Sequence, residues 1–401
     1  MKKDLFPIFN NNHEKFAYLD NAATTHKPQS VLDSLMYFYT TLNSNVHRSV
    51  YLLGEKATEV YENSRDVVAS FIKASDRREI IFTKSTTESV NLVAYSWGEA
   101  NISVGDEIVV SILEHHSNYL PWEQLAKRKK AILKIIPLGK NNDITIENVR
   151  SCLSNKTKIV AITHISNVTG TITPVKDITR EAHAVGALVL VDAAQSIAHV
   201  PIDVKDLDCD WLVFSGHKMY GPTGVAVLYG KKNILESMPP FLFGGGMVRD
   251  ITNEKIEWAE LPNKFEAGTP SIAEVVVLGT AIKFLEKIGF DSIIQHEREL
   301  TTYAFQKLKT IEKVITVGSP GLAAQGAIIS FVVEGSHPHD IASLLGEYGV
   351  CVRAGHHCAA PLHSYLNIQA SCRLSLAIYN SKEDIDMLID GLKYAKKTLK
   401  I

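Results

Sequence analysis

The sequence predicts an α/β fold built on a mostly parallel sheet, and three observations carry that prediction. Four short apolar runs, EIVVSI, AILKIIPL, TKIVAIT and ALVLVDAA, are continuous rather than alternating, as in parallel strands buried on both faces. Helix-like stretches such as WEQLAKRKK and VKDITREAHAVG separate several of these runs. The 401 residues, 45% hydrophobic and 21% charged, have ordinary globular composition and are too many for one small core.

In chain order, helical periodicity runs from about Gly54 to Ile72, with Val60, Tyr61, Val67, Val68 and Phe71 on one face. The short strand IIFTK follows, and Thr86 or Thr87 then caps a helix through TTESVNLVAYSW. After the four apolar runs, two more strands, WLVFSG and GVAVLYG, flank SGHKMYGPTG. From about Ser271 a long helical pattern spans AEVVVLGTAIKFLEKIG. A smaller α+β unit follows, with the strand AIISFVV, the helix HPHDIASLLGEYG and a last helix. In that last helix Ser381 and Asp384 resemble a capping box, and Ile385, Leu388, Ile389, Leu392 and Ala395 form the apolar stripe. The boundary falls near residue 285, giving a large domain over 21–285 and a small one over 286–401, on which residues 1–20 pack.

Composition excludes several classes. Lys plus Arg total 42 against 44 Asp plus Glu, a net charge of −2, so no basic excess drives nucleic-acid binding. The KRKK run at 127–130 lies in a helical pattern and reads as a solvated face. No apolar run reaches membrane-spanning length, and the N-terminal residues lack the apolar core of a signal peptide. Five cysteines, an odd number with no CxxC pair, form neither a disulfide framework nor a structural zinc site. A reduced, cytoplasmic protein without a resident metal is expected.

The chemistry concentrates in five segments. ALVLVDAAQS ends an apolar run in Asp192, beyond which an open parallel sheet binds ligands, although such a residue also caps turns. FSGHKMYGPTG sets Lys218 between glycines and core strands, where a desolvated amine becomes a neutral nucleophile suited to Schiff-base chemistry. Most lysines are surface charges, but this setting is not a surface one. Ser215 and His217 offer donors to an anionic group. Lysine and aspartate together suggest pyridoxal 5'-phosphate, which needs an amine for its aldehyde and a carboxylate for its ring nitrogen. Thr86 and Thr87, at a strand-to-helix turn, meet the phosphate requirement, where ordinary capping is the alternative. In EHHSNYLPW, His115 or His116 follows a strand and can stack on a flat ring; HISNVTG places Asn167 at the same sheet edge. CVRAGHHCAAPL puts Cys358 beside two histidines and five residues after Arg353, a setting that favours thiolate, against the alternatives of an inert thiol or a metal fragment. Cys351 and Cys372 lie in strand-like runs and look structural, while Cys152 and Cys209 carry no motif. In SCRLSLAIYN, Arg373 opens a strand and suits a substrate carboxylate or a structural salt bridge.

These segments resemble a known family. From YLDNAATTHKP, SNVHRSV, STTESVNLVA and EHHSNYLPW through HISNVTGTITP, VLVDAAQSIAHVPIDV, DCDWLVFSGHKMYGPTGVAVLYG and FEAGTPS to RAGHHCAAPL and CRLSLAIYN, the chain is similar to group II, SufS-type cysteine desulfurases, in the class V branch of fold-type I pyridoxal-phosphate enzymes. RAGHHCAAP selects group II; group I enzymes carry the cysteine in a longer, Ser-rich loop. The resemblance implies that Lys218 holds the cofactor, Asp192 pairs the ring nitrogen, Gln195 bonds the phenolic oxygen and His115 stacks on the ring. Thr87, Ser215 and His217 would hold the phosphate, with Thr86 beside them. Thr269 would reach the cofactor of a partner subunit, which implies a homodimer. Arg373 would bind the substrate carboxylate near Asn167 and Arg353, with His47 and Arg48 at the site mouth. Cys358 would accept the sulfur.

The implied reaction converts L-cysteine to L-alanine. Lys218 takes the Cα proton, the Cys358 thiolate attacks the substrate sulfur, and the resulting persulfide passes to an acceptor of the SufE or SufU type for iron–sulfur cluster assembly. Two positions depart from many relatives: Ser85 stands where they have Gly, and Tyr51 where they have His. Related alternatives are selenocysteine lyase, cysteine sulfinate desulfinase, and a transaminase, which has no use for Cys358. A non-catalytic scaffold would be expected to lack the lysine or the cysteine, and both are present.

Overall fold

The continuous apolar runs become neighbouring strands of one seven-stranded sheet. The computed structural model describes residues 3–11, 15–252, 254–318, 321 and 324–401. The strand order across the sheet is Ile80–Thr83, Ala226–Gly230, Trp211–Ser215, Leu188–Asp192, Thr157–Thr163, Glu107–Ser111 and Ile132–Ile136. Pairing is parallel from Trp211–Ser215 to Ile132–Ile136. Ala226–Gly230 runs antiparallel to both of its neighbours. It follows Trp211–Ser215 with no crossover helix between them, and an antiparallel neighbour needs none.

Alternate residues of the central strands feed opposite faces. Val109, Val160, Ile162, Val189 and Val191 join one apolar cluster. Ile108, Val110, Ile159, Ala161 and Leu190 join the other. The run AILKIIPL differs from its expectation. It forms the sheet edge, so Ile132 and Ile135 are exposed, and Lys134 reaches Glu107 at 2.8 Å. A lysine there discourages pairing with another chain.

The first long helix is Leu52–Phe71, and its buried face differs from the apolar stripe. Tyr61 and Val68 are buried as expected, whereas Gly54, Ala57, Ser64 and Arg65 complete that face. Arg65 is wholly buried and donates from Nη1 to Glu266 Oε1 at 2.7 Å and from Nη2 to Oε2 at 2.9 Å. The Phe82 backbone N–H also donates to Glu266 Oε1 at 2.7 Å, and the Phe82 ring lies 4.5 Å from the guanidinium. Hydrophobic periodicity cannot register a buried arginine, because its partner stands two hundred residues away. The same helix packs on Ile272–Ile288, where a Cβ at Gly279 would meet Ser64 Oγ at 2.9 Å; the crossing admits only glycine without movement.

A second, antiparallel sheet has the order Val314–Thr316, Ile328–Val333, Ser371–Ser375 and Arg353–Gly355. Helices Pro338–Glu347 and Lys382–Leu399 pack with it. The last helix has the capping box: Ser381 N donates to Asp384 Oδ2 at 3.0 Å. Ala17–Tyr18 pairs with Val350–Cys351, and Ala17 and Leu19 join the apolar cluster of this sheet. Phe6 packs instead on Tyr220, Phe284 and Tyr379 in the larger cluster. Lys127 and Arg128 of the KRKK run pair with Glu123 and Glu99 on an exposed helix face. Among the described residues, no helix is long and apolar enough to cross a membrane.

Breaking a buried ion pair on one side strands the other charge. Arg65→Ala is therefore expected to lower the unfolding free energy by about 3–5 kcal/mol. Urea unfolding of the variant beside the parent checks this, and an unchanged midpoint would contradict it.

Candidate active site

The carboxyl ends of the central strands open on one chamber of about 260 Å³. It collects Thr86, Thr87, His115, Asn167, Asp192, Gln195, Ser215, His217, Lys218, Arg353, Cys358 and Arg373 from seven separate stretches of chain. Asp192 is the last residue of its strand and is buried; its Oδ1 accepts the Ala194 backbone N–H at 2.9 Å. Burial pushes its carboxyl up, with the Ala194 bond and Lys218 opposing. Lys218 closes the turn Gly216–Lys218 after Trp211–Ser215. Burial brings its amine down to about 8; Asp192 and Cys358 oppose the shift and Arg373 adds to it. The desolvated amine expected from the apolar flanks is therefore present.

Around these two groups the donors converge. The helix Thr86–Val93 is capped by Ser85, whose Oγ accepts from Glu88 N at 3.2 Å, and not by Thr86 or Thr87. The residue before the threonines takes the cap because it alone has extended backbone there, leaving Thr86 as the first helical residue. Thr86 instead approaches Ser215 Oγ, with its backbone N at 2.9 Å and its hydroxyl at 2.6 Å. Thr87 Oγ1 lies 2.7 Å from Ser117 Oγ. Burial brings His217 down to about 4, with Lys218 adding to it. Gln195 Nε2 donates to Ala22 O at 2.8 Å and lines the chamber.

Of the two adjacent histidines, His115 enters the chamber. It caps the helix His116–Lys129, and its Nδ1 accepts the Ser117 backbone N–H at 3.0 Å. The neutral ring therefore carries its proton on Nε2. Burial, with Lys218 next, brings its pKa down to about 3.

Arg373 lies in the middle of Ser371–Ser375 rather than opening it, directly across from Arg353. Its Nη1 donates to Asn167 O at 3.0 Å and its Nη2 to Asp20 Oδ1 at 3.0 Å, while its buried Nε has no partner. Arg353 Nε reaches the other oxygen of Asp20 at 3.2 Å. Asp20 is a site residue that the sequence reading misses; its signal is a carboxylate two residues after the strand Ala17–Tyr18, in YLDNAATT.

Cys358 is the exposed member of the five cysteines, all of them free. It and His357 have consecutive left-handed backbone, φ 55° and 50°. Asn167 Nδ2 donates to His357 O at 2.7 Å. Cys209 and Cys372 are buried, and burial holds the Cys372 thiol up at about 12, as suits structural residues. No group of three metal-ligating side chains occurs among the described residues.

His47, Arg48 and Thr269 are not part of this chamber within one chain. They line a second cavity of about 320 Å³ together with Glu266. His47 Nε2 lies 2.9 Å from Glu62 Oε1, and Glu62 also accepts from Arg65, so the same buried arginine ties both walls of that cavity.

The residues fit the implied pyridoxal phosphate. A buried carboxylate, which wants a cation beside it, suits a protonated ring nitrogen, and a half-buried amine pushed toward neutrality by desolvation suits an aldehyde carbon. Hydroxyls and backbone N–H groups at the start of Thr86–Val93 suit a phosphate. The unpartnered Arg373 Nε suits a carboxylate.

Comparison with known proteins gives a consistent result. The family described as aminotransferase class-V matches residues 17–388. A probable cysteine desulfurase of Halalkalibacterium halodurans is 50% identical over 397 residues, covering 98% of this chain and 97% of that one. One of Staphylococcus aureus is 50% identical over 394 residues, covering 98% and 95%. Among solved structures, a cysteine desulfurase of Thermococcus onnurineus matches with a TM-score of 0.93 at 37% identity, covering 98% of both chains. A cysteine desulfurase of Escherichia coli matches with a TM-score of 0.90 at 36% identity, covering 98% and 97%. With its fold and nearly its whole length in agreement, the chain belongs to the class V aminotransferase family.

Proposed function

We propose that the protein is a group II, SufS-type cysteine desulfurase that converts L-cysteine to L-alanine and takes the sulfur onto Cys358 as a persulfide. The observation that carries this reading is the meeting of Lys218, Asp192, Arg373 and an exposed cysteine in one chamber. Bound pyridoxal phosphate supplies an electron sink for the pair released at the substrate Cα. Lys218 would hold its aldehyde carbon, and Asp192 would keep its ring nitrogen protonated. Gln195 would bond the phenolic oxygen, His115 would cover the ring, and Thr86, Thr87, Ser215 and His217 would hold the phosphate. Arg373 takes the substrate carboxylate, with Asn167 and Arg353 beside it. The Lys218 amine would take the Cα proton. Burial supports this step by making the neutral amine accessible near physiological pH. The Cys358 thiolate then attacks the substrate sulfur. An S–S bond forms as the Cβ–S bond breaks, and the carbon skeleton keeps the electron pair, is protonated and leaves as L-alanine. Cysteine plus enzyme thiol thus gives alanine plus enzyme persulfide, with no outside oxidant.

The site is completed in a homodimer, in which Thr269, His47 and Arg48 face the partner's chamber. Exposed Val50, Leu52 and Phe243, next to the segments that line the second cavity, supply apolar surface for a second copy to cover. We read residues 21–285 as the cofactor domain and residues 1–20 with 286–401 as a small domain carrying the cysteine loop. The separate apolar cluster around Leu374 and Leu388 supports that division. The persulfide passes to an acceptor of the SufE or SufU type for iron–sulfur cluster assembly in the cytoplasm.

Two outcomes test this reading. With L-cysteine and a reductant, the purified protein is expected to release alanine and sulfide in equal amounts. Cys358→Ala at matched cofactor absorbance is expected to lose at least about two orders of magnitude of that rate, having lost its nucleophile. Equal rates in both would remove Cys358 from the chemistry. Sedimentation is expected to show a dimer, and Thr269→Ala is expected to weaken cofactor retention on dialysis although Thr269 lies outside its own chain's chamber. A monomeric protein with full cofactor retention would contradict the shared site.

A further inference from the structure

Two helix starts face each other across the cysteine. His116 is the first residue of the helix His116–Lys129, and Ala360 is the first residue of Ala360–Tyr365. The first amides of any helix lack partners within it. Here each finds one across the gap: His116 N donates to Cys358 O at 2.7 Å, and Ala360 N donates to His116 Nε2 at 3.1 Å. One residue thus grips the backbone on both sides of Ala359, directly after Cys358. We propose that His116 is a positioning residue for Cys358, its ring clamping the Ala360 amide so that the sulfur is held toward the chamber.

The need for such a clamp lies in the backbone. His357 and Cys358 are both left-handed, a conformation that is costly for non-glycine residues and persists only where surroundings over-determine it. The His357 side is held twice. Asn167 Nδ2 donates to His357 O, and the His357 ring meets Ser371 Oγ at 3.0 Å. Ser371 Oγ also meets His363 Nε2 at 3.0 Å, and His363 Nδ1 meets Ala359 O at 3.1 Å. On the 358–360 side, both anchors from the large sheet come from His116. Its Nε2 must present a lone pair to the Ala360 N–H, so the neutral ring carries its proton on Nδ1. Burial, with His356 adding to it, moves the ring's pKa down and keeps it in that acceptor form. The ring does not line the chamber, so it acts through the loop and not on substrate.

This inference rests on the desulfurase reading for its effect on rate, but the clamp has its own readouts. The holoenzyme is compared with His116→Ala and His116→Gln; the glutamine side-chain carbonyl can replace the accepting nitrogen. Both keep the backbone donor to Cys358 O. His116→Ala is expected to speed hydrogen exchange of the Ala360 amide and to lower kcat for alanine formation, each by about tenfold, the worth of one lost hydrogen bond. KM for L-cysteine and the cofactor absorbance are expected to stay unchanged, and iodoacetamide labelling of Cys358 is expected to change in rate. His116→Gln is expected to restore exchange, labelling and kcat to within about threefold of the parent. Unchanged exchange and labelling in His116→Ala would overturn the clamp, as would loss of cofactor absorbance along with activity or failure of glutamine to restore. If the parent itself makes no alanine, the desulfurase reading fails while exchange and labelling still decide the clamp.

Discussion

The carbonyl oxygen of His217 accepts from Thr24 Oγ1 at 3.1 Å, Thr25 N at 3.0 Å, Thr25 Oγ1 at 3.2 Å and Lys27 Nζ at 3.1 Å. Four donors on one acceptor immobilise the peptide that leads into Lys218. Thr25 Oγ1 also accepts the Tyr220 backbone N–H at 2.8 Å, so the turn is held on both sides of the lysine. A Gly-flanked turn has little stiffness of its own. The clamp therefore decides where the amine stands. The same short segment carries Asp20, which holds Arg353 and Arg373 on the second sheet. Residues 20–27 thus join the lysine turn of one sheet to the arginines of the other, and the chamber lies between them. Within this network Arg373 Nε is the buried atom left unpaired, which is costly until a ligand meets it.

The corner after Glu107–Ser111 shows the same logic at smaller scale. Glu114 is buried and accepts from Ser111 Oγ at 2.5 Å, Thr163 N at 2.9 Å and Asn118 Nδ2 at 2.6 Å. Asn118 Oδ1 in turn accepts from Trp122 Nε1 at 3.1 Å, which fixes the amide orientation. Burial pushes the Glu114 carboxyl up to about 8 against those three bonds. The acid ties the corner to the neighbouring strand and sets the pose of the two residues that follow. His115 turns toward the buried chamber and His116 toward the cysteine loop. Two adjacent, chemically identical side chains acquire different tasks because the helix they open is anchored at this angle.

Desolvation sets the electrostatics of the site. The parallel strands are buried on both faces, so groups at their carboxyl ends lose water whatever their sign. Asp192 shifts up, and Lys218, His115 and His217 shift down. An enzyme that handles a proton at carbon needs a neutral amine close to physiological pH, and the carboxyl end of the sheet provides it chiefly by desolvation, with Arg373 adding to the shift. Cys358 differs. It is exposed on a loop from the second sheet, where an incoming substrate sulfur and an outgoing persulfide both require access.

The sequence by itself determined the strands, the mostly parallel sheet and the lysine, aspartate and cysteine of the chamber. Continuous apolar runs report strands buried on both faces, and polar residues that interrupt those runs fall at strand ends, so both signals are local. Tertiary structure alone decided the rest. The stripe over 54–72 passes over Arg65, because its stability inside the core depends on Glu266, far along the chain. The edge position of Ile132–Ile136 depends on strand order, which no strand encodes alone. Ser85 rather than Thr86 caps its helix because of a backbone turn one residue earlier than composition indicates. His47, Arg48 and Thr269 lie apart from the chamber, and Asp20 lies between two arginines, because long-range packing places whole segments, and a residue's neighbours across such contacts are not written in its own surroundings along the chain.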